Sequence, residues 1–359
     1  MKTVRQRSVM WDYIAQEPAI LRELMASDQT ARFSAQAGGE LEAVYFVAHG
    51  SSYNAALSIS GFMARAAKLR VYVYTPANFL DCVQVLRQEK RALAVAISQT
   101  GTSSGVIEAL RKARELGART LGITANPASP LAGEADHALL LGCGEENSNA
   151  KTKGYMSTLT LLLLLAVHLG ETRGALSGRE GARIRRELEG QIAQMDGVAE
   201  AVKRWCEENR FGAALRALYV LGYDMNFGTA LEGQLKLMET MCIPTMFNDL
   251  GEFSHGMHRA IGRESTVMLL RAAHPLQRLS EDAFRYLQGV AGTVLLLDAA
   301  GDAPAEPGRL VLPAYPMTQS LLLLTLAIQI FSVSAPEQNG LDPNRDANNS
   351  FTEVAHTRI

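Results

Sequence analysis

The chain has 359 residues, 47% hydrophobic and 20% charged, with a formal net charge of −2. This length accommodates two ordinary domains with substantial cores, and the composition is globular rather than disordered. The near-neutral balance gives no electrostatic footprint for nucleic acid. Cys82, Cys143, Cys206 and Cys242 are scattered without CxxC or metal-type spacing. They read as reduced, mostly buried thiols of a cytoplasmic protein. The N-terminus lacks the apolar core of a signal segment. The most apolar run, Leu159 to Leu169, is too short to span a bilayer and contains His168, so it reads as a buried helix rather than a membrane segment.

In chain order, an amphipathic helical segment covers residues 1–37, with Ile14, Ile20, Leu21 and Leu24 at helical spacing. A first α/β domain is predicted over 38–172. Its strands are AVYFVA, RVYVY, ALAVAIS, TLGITAN and HALLLG, with helices over Asn54 to Ala67 and Ser104 to Leu116. Continuous apolar strands alternating with helices predict a parallel sheet covered on both faces. A polar connecting helix, centred on Arg183 to Asn209, fills 173–210. The pattern then restarts over 211–335, with strands LYVLG, STVMLL, TVLLL and RLVLP. Helices are predicted at Gly228 to Met241, Glu281 to Gln288 and Met317 to Val333. YFVAHGSSYNAAL and LYVLGYDMNFGTAL echo each other as strand, turn and helix, which points to a duplicated domain. Residues 336–359 form a polar tail; Phe351, Val354 and Ile359 give it apolar groups with which to dock.

Two turns of the first half are rich in hydroxyls: Gly50-Ser51-Ser52, and Ser98-Gln99-Thr100-Gly101-Thr102-Ser103-Ser104. In parallel α/β sheets, ligands sit at the carboxyl ends of strands. A helix opening there offers unpaired N–H groups and a positive dipole end for phosphate. Helix capping accounts for either turn alone, since Ser and Thr are favoured caps. Two such turns in one domain favour a phosphorylated metabolite. Neither turn matches GxxxxGK[ST] or GxGxxG, which argues against ATP and NAD.

In the second half, Glu232, Lys236 and Glu239 share one face of a predicted helix. An exposed salt-bridged stripe is the competing explanation of that spacing. Two of the seven histidines, His255 and His258, lie in the glycine-bearing segment Asn248 to His258. Imidazole titrates near neutrality and suits proton transfer; a structural histidine bonded to backbone accounts for it equally. No third ligand joins them at metal-binding spacing, so no metal site is expected.

Together these residues resemble the SIS (sugar isomerase) family, in particular the isomerase half of glucosamine-6-phosphate synthase and its fructosamine-6-phosphate deglycase relatives. HGSSYNAA is similar to the first glycine–serine turn of that family, and SQTGTSS to its SQSGxT phosphate loop. ALEGQLKLMET followed by GEFSHG is similar to ALEGxLKLKE followed by GELKHG. The resemblance runs from about Leu41 to the C-terminus and implies two tandem SIS domains, each a doubly wound, flavodoxin-like parallel sheet with helices on both faces. It implies that Gly50, Ser51 and Ser52 line the sugar site and that Ser98, Gln99, Thr100 and Ser103 hold the phosphate. It makes Glu239 the general base and His255 the group that assists ring opening, contributed across subunits of a homodimer or higher homo-oligomer. Glu232 and Lys236 become supporting residues. Lys151 stands where the family has a serine in a substrate-binding stretch, which adds a positive charge near the phosphate or near a carboxylate on the substrate.

Two departures shape the functional expectation. No glutaminase domain precedes the SIS domains in this sequence. Asn349 stands where the synthases carry a lysine that captures their ketose as an imine, and an amide cannot form a Schiff base. A deglycase acting on a 6-phosphorylated fructosamine satisfies both departures with Glu239 and His255 alone, without metal or cofactor. An aldose–ketose or amino-sugar-phosphate isomerase would use the same two groups. A sugar-phosphate sensor is the alternative outside enzymes.

Overall fold

The computed structural model describes residues 7–87, 89 and 91–356. The first six residues of the predicted N-terminal segment, and Ile359, lie outside them. The chain opens with α1 (Val9–Ala26) and α2 (Gln29–Ala37). Then follow β1 (Ala43–Ala48), α3 (Gly50–Ala67), β2 (Arg70–Tyr74), α4 (Pro76–Cys82), β3 (Ala92–Ile97), α5 (Ser104–Glu115), β4 (Arg119–Thr124), α6 (Pro130–Glu134) and β5 (His137–Leu140). Two long helices come next, α7 (Lys153–Thr172) and α8 (Gly178–Asn209). The second half holds β6 (Ala217–Gly222), α9 (Met225–Met241), β7 (Thr245–Asp249), β8 (Ser265–Ala272), α10 (Gln277–Gln288), β9 (Thr293–Ala299), β10 (Arg309–Val311), α11 (Leu321–Gln338) and α12 (Phe351–Val354).

The first sheet has the order β2-β1-β3-β4-β5, and every neighbouring pair is parallel. The second has the order β10-β9-β8-β6-β7, again parallel throughout. Counted from β6, it repeats the order of the first sheet, so the duplication read from two short segments extends to the topology. Both orders are the flavodoxin-like, doubly wound type, with a switch point beside the first strand of each sheet. Every residue of β1, β3 and β8 is buried, as continuous apolar strands of a doubly covered sheet require.

Two compact units divide the chain. The first comprises Ile20–Glu145, Gly154–Glu189 and the residues from Asn348 on, and contains the first sheet. The second comprises the residues up to Ala19, Glu146–Lys153 and Gly190–Ala347, and contains the second sheet. The units cut across the linear segments expected from the sequence: α1 and α8 are each divided, and the loop Glu146–Lys153 belongs to the second unit. In the first unit Tyr45, Val47, Phe79, Leu86 and Ala109 fill one face of the sheet. In the second, Tyr223, Phe253, Leu269, Phe284 and Leu296 do so. Full burial of one such side chain contributes about 1.5–3 kcal/mol.

The structure corrects several element boundaries. β7 carries the sequence TMFND, which has no apolar run and received no assignment from the sequence; it is an edge strand paired with β6 alone. α11 begins at Leu321 rather than Met317, because Gln319 and Ser320 are left-handed (φ 50° and 48°), and it runs on to Gln338. α7 and α11 are long and apolar enough to cross a membrane by composition, yet 89% of each apolar window is buried in the protein, as core helices are. Within the first unit His168 shares a 2.9 Å hydrogen bond with Thr30. All four cysteines are free thiols; Cys143 and Cys206 are buried, whereas Cys242 is exposed.

Candidate active site

In the first unit β1 delivers the chain to Gly50, whose φ of +54° is the left-handed turn that opens α3. Ser51 and Ser52 occupy the first helical turn and remain partly exposed. The second hydroxyl-rich loop follows β3. Ser98 is buried; its amide bonds the Ile123 carbonyl at 3.0 Å and its Oγ accepts the Gly101 amide at 3.2 Å. Gly101 has φ +71°, and a Cβ there would lie 2.1 Å from Ser129 Oγ, so only glycine fits. The Thr100 and Thr102 hydroxyls are 2.9 Å apart. Gln99 packs its amide so closely on Gly154 that a Cβ there would meet its Cδ at 2.2 Å. Ser103 sits at the N-cap of α5, yet its side chain makes no capping bond. Capping therefore leaves the Ser103 hydroxyl unused. The expected phosphate groups Ser98, Gln99, Thr100 and Ser103 thus share one strand-to-helix loop at a helix N-terminus.

His49, which the sequence reading passed over, belongs with these turns. It is the N-cap residue of α3, and its Nε2 would lie 3.8 Å from a Cβ on Gly105 in the first turn of α5. Enclosure of part of the ring lowers its pKa below the ordinary histidine value, which favours the neutral imidazole. Its position directly before the Gly50 turn was the available signal.

In the second unit, Glu232, Lys236 and Glu239 come together on α9. The stripe is not solvated: Glu232 and Lys236 are each 1% exposed. Lys236 Nζ lies 2.7 Å from the Glu239 carboxylate and 3.5 Å from that of Glu232. Burial alone would drive the ammonium to lose its proton. The Glu239 and Glu232 carboxylates outweigh that effect and hold its pKa above the usual lysine value. Of the three groups, Glu239 alone reaches solvent appreciably, with 32% of its side chain exposed. α9 can lie close to its neighbours because Gly233 leaves room beside Ile328 and Val220. His255 ends a short 3₁₀ turn (Glu252–His255) and is exposed. Among the described residues, no hydrogen bond joins it to Glu239. His258 shares a 3.3 Å hydrogen bond between its Nδ1 and the Phe253 carbonyl oxygen, the structural role open to it from the sequence.

Lys151, expected beside the phosphate, lies in the loop Glu146–Lys153. Its ammonium donates to the Glu146 and Ser148 carbonyls at 2.6 and 2.8 Å, clasping its own loop. The Glu146 carboxylate accepts from Thr152 N, Thr152 Oγ1 and Lys153 N at 2.5, 2.8 and 3.2 Å. Gln329 of α11 donates to the Thr152 carbonyl at 3.1 Å. Glu17 of α1 is fully buried, and neither of its oxygens accepts a hydrogen bond from a described residue; nor does Gln329 Oε1. Burial, then the nearby Glu146 charge, raises the Glu17 pKa well above the usual carboxylate value. Glu17, Glu146, Thr152 and Gln329 left no trace in sequence spacing.

Up to Ala347 the tail belongs to the second unit. Asn344 Oδ1 accepts the Asn149 amide at 3.1 Å, and Arg345 donates to the Thr240 carbonyl at 2.7 Å, one residue beyond Glu239. Asn349 is exposed, and its carbonyl accepts the Thr352 hydroxyl at 3.1 Å. Among the described residues no group of three or more His, Cys, Asp or Glu is arranged to hold a metal ion.

Residues 41–168 match the model of the SIS domain. The chain is 28% identical over 356 residues to the glutamine–fructose-6-phosphate aminotransferase (isomerizing) of Gloeobacter violaceus, covering 95% of this chain and 58% of that protein. It is 32% identical over 214 residues to a Thermus thermophilus enzyme of the same name, covering 60% of this chain and 35% of the relative. The chain thus spans little more than half the length of the curated relatives it matches end to end. Among solved structures, a candidate phosphosugar isomerase of Clostridium difficile 630 matches with TM-score 0.88 at 23% identity, covering 99% of both chains. The C-terminal domain of glucosamine-fructose-6-phosphate aminotransferase from Francisella tularensis matches with TM-score 0.84 at 20% identity, covering 96% of this chain and all of that one. At these identities the structural matches establish the fold. The chain carries a SIS domain over residues 41–168 within a tandem SIS fold and is a homologue of the fructose-6-phosphate aminotransferases.

Proposed function

We propose that this chain is a phosphosugar-processing enzyme, a deglycase that cleaves a 6-phosphorylated fructosamine to an aldose 6-phosphate and a free amine. The observation that carries the reading is the α9 cluster, in which a buried ammonium 2.7 Å from Glu239 holds a partly exposed carboxylate in place. Glu239 removes a proton from C1 of the ketosamine, giving an enaminol. Reprotonation at C2 leaves an imine at C1, and water hydrolyses it to the aldehyde and the amine. One carboxylate and one proton shuttle suffice. His255 is the shuttle, contributed by the neighbouring copy in a homodimer; its exposure on one protomer suits that role. The SQTGTSS loop takes the 6-phosphate through hydroxyls and helix N–H groups. Asn349 supports the deglycase over an imine-forming synthase, since an amide offers no nucleophilic amine. Four free thiols fit a reducing cytoplasm.

The test supplies fructoselysine 6-phosphate and, separately, glucosamine 6-phosphate and fructose 6-phosphate, and reads amine release and sugar interconversion. Amine release from the first substrate alone is expected. Interconversion of the other two without it would replace the deglycase by an isomerase. E239Q should lower kcat by about 10²–10⁴-fold while phosphosugar binding stays measurable; full activity in that variant would remove Glu239 from the role.

A further inference from the structure

The two strand-to-helix turns that echo each other in sequence both pass through a positive φ but carry opposite chemistry. Aligned on their helices, Gly50 corresponds to Asp224 and Ser52 to Asn226. Gly50 has φ +54°, and Asp224 has φ +47° with ψ −121°. Glycine adopts a positive φ without strain; aspartate does so here at a cost of order 1–3 kcal/mol. The second unit therefore spends strain to hold a carboxylate at the carboxyl end of β6, beside the switch point of its sheet.

Neighbouring side chains complete an acceptor-rich cluster. Gln319, itself left-handed (φ 50°), donates its amide Nε2 to Asp224 Oδ2 at 2.7 Å. Asn226 donates Nδ2 to the Gln319 carbonyl at 3.2 Å. These two bonds fix both amides, so their oxygens cannot be exchanged for nitrogens by a flip. Gln319 Oε1 and Asn226 Oδ1 are then acceptors, and neither receives a hydrogen bond from a described residue. The two residues are 5% and 0% exposed. An orphan acceptor at that depth costs about 1–3 kcal/mol. His274 receives the Leu276 amide on Nδ1 at 3.1 Å, which places its neutral-form proton on Nε2, 3.7 Å from Asp224 Oδ2.

We propose that this turn is a binding site for a small monovalent cation, an alkali ion or a primary ammonium group. One carboxylate and two amide oxygens supply one negative charge and hard oxygen ligands. A divalent ion would call for more carboxylates, and a soft metal for thiolates or several imidazoles. The same carboxylate repels phosphate, so the second switch point discriminates against the anion that its counterpart in the first unit is built to take.

The experiment is equilibrium dialysis of the full chain against rubidium chloride, with choline chloride holding ionic strength constant. Competition by potassium chloride and by methylammonium chloride forms the two arms. Saturable binding of one rubidium per chain is expected. Displacement by potassium alone assigns the site to an alkali ion, and displacement by methylammonium assigns it to an amine. D224N keeps an acceptor for Gln319 in a residue that tolerates positive φ, and should weaken binding roughly tenfold or more. Q319A should weaken it by a similar factor, with near-native thermal unfolding showing that the variant folds. Absence of saturation, or binding unchanged in both variants, overturns the proposal.

Discussion

The two units share a strand order and a strand–turn–helix opening, yet they equip their sites in different ways. The first relies on uncharged groups: Ser98, Thr100, Thr102 and Ser103 on a loop that Gly101 allows to turn tightly. The second buries ionisable groups: Lys236 between Glu239 and Glu232, and Glu17 near Glu146. Neutral dipoles at a helix end suit a group that is held through the reaction and does not change charge. A proton-transferring carboxylate needs a fixed counter-charge, which is costly to bury and must be paired. The proposed function makes the first unit the half that grips phosphate and the second the half that handles protons, a division carried by side-chain choice on one shared topology.

The largest test of that contrast is K236M, which leaves Glu232 and Glu239 without their cation. A stability loss of about 3 kcal/mol is expected, at the low end for a broken buried pair because Glu239 is partly exposed. Urea denaturation measures it, and a neutral result would show that the second unit does not depend on buried charge. Next comes E17Q. Burial and the nearby Glu146 charge raise the Glu17 pKa in the folded protein. The unfolded chain therefore releases this proton first as pH rises. The stability it contributes is present below the unfolded carboxylate pKa and is lost as pH climbs through the folded one. Within that window the parent should lose up to about 1.4 kcal/mol per pH unit relative to E17Q. Denaturation at about pH 5 and about pH 8 tests the sign: E17Q should gain on the parent at the higher pH. The smallest effect belongs to the first unit. S98A removes one of two acceptors of the Gly101 amide, the Ser98 carbonyl staying in place, together with a hydroxyl of the loop; it should raise KM by roughly 3–10-fold with little change in kcat, because the phosphate is remote from the bonds that change. An equal fall in kcat would mean that the loop takes part in the chemistry and would blur the division between the two units.

Much of this was legible along the chain. Nine of the strands announced themselves as apolar runs, and the α9 stripe was readable from helical spacing. β7 was not, since TMFND is an edge strand whose polar residues need no buried face. Whether the Glu232–Lys236–Glu239 stripe faced water or core was also open, because spacing places residues on one face and does not say what covers it. The contacts of Lys151 with its own loop carbonyls were also invisible along the chain, because they depend on how that loop folds back.

Periodicities, glycine turns and the hydroxyl-rich loop could be read along the chain, since these depend on residues within a few positions of one another. Tertiary structure alone decided that Glu17, Glu146, Lys236 and Gln329 share one buried neighbourhood, and that Asp224 meets Gln319. Those encounters join positions scores to hundreds of residues apart. Their energies come from burial and Coulomb interaction, which depend on distance in space and leave no periodic mark on the chain.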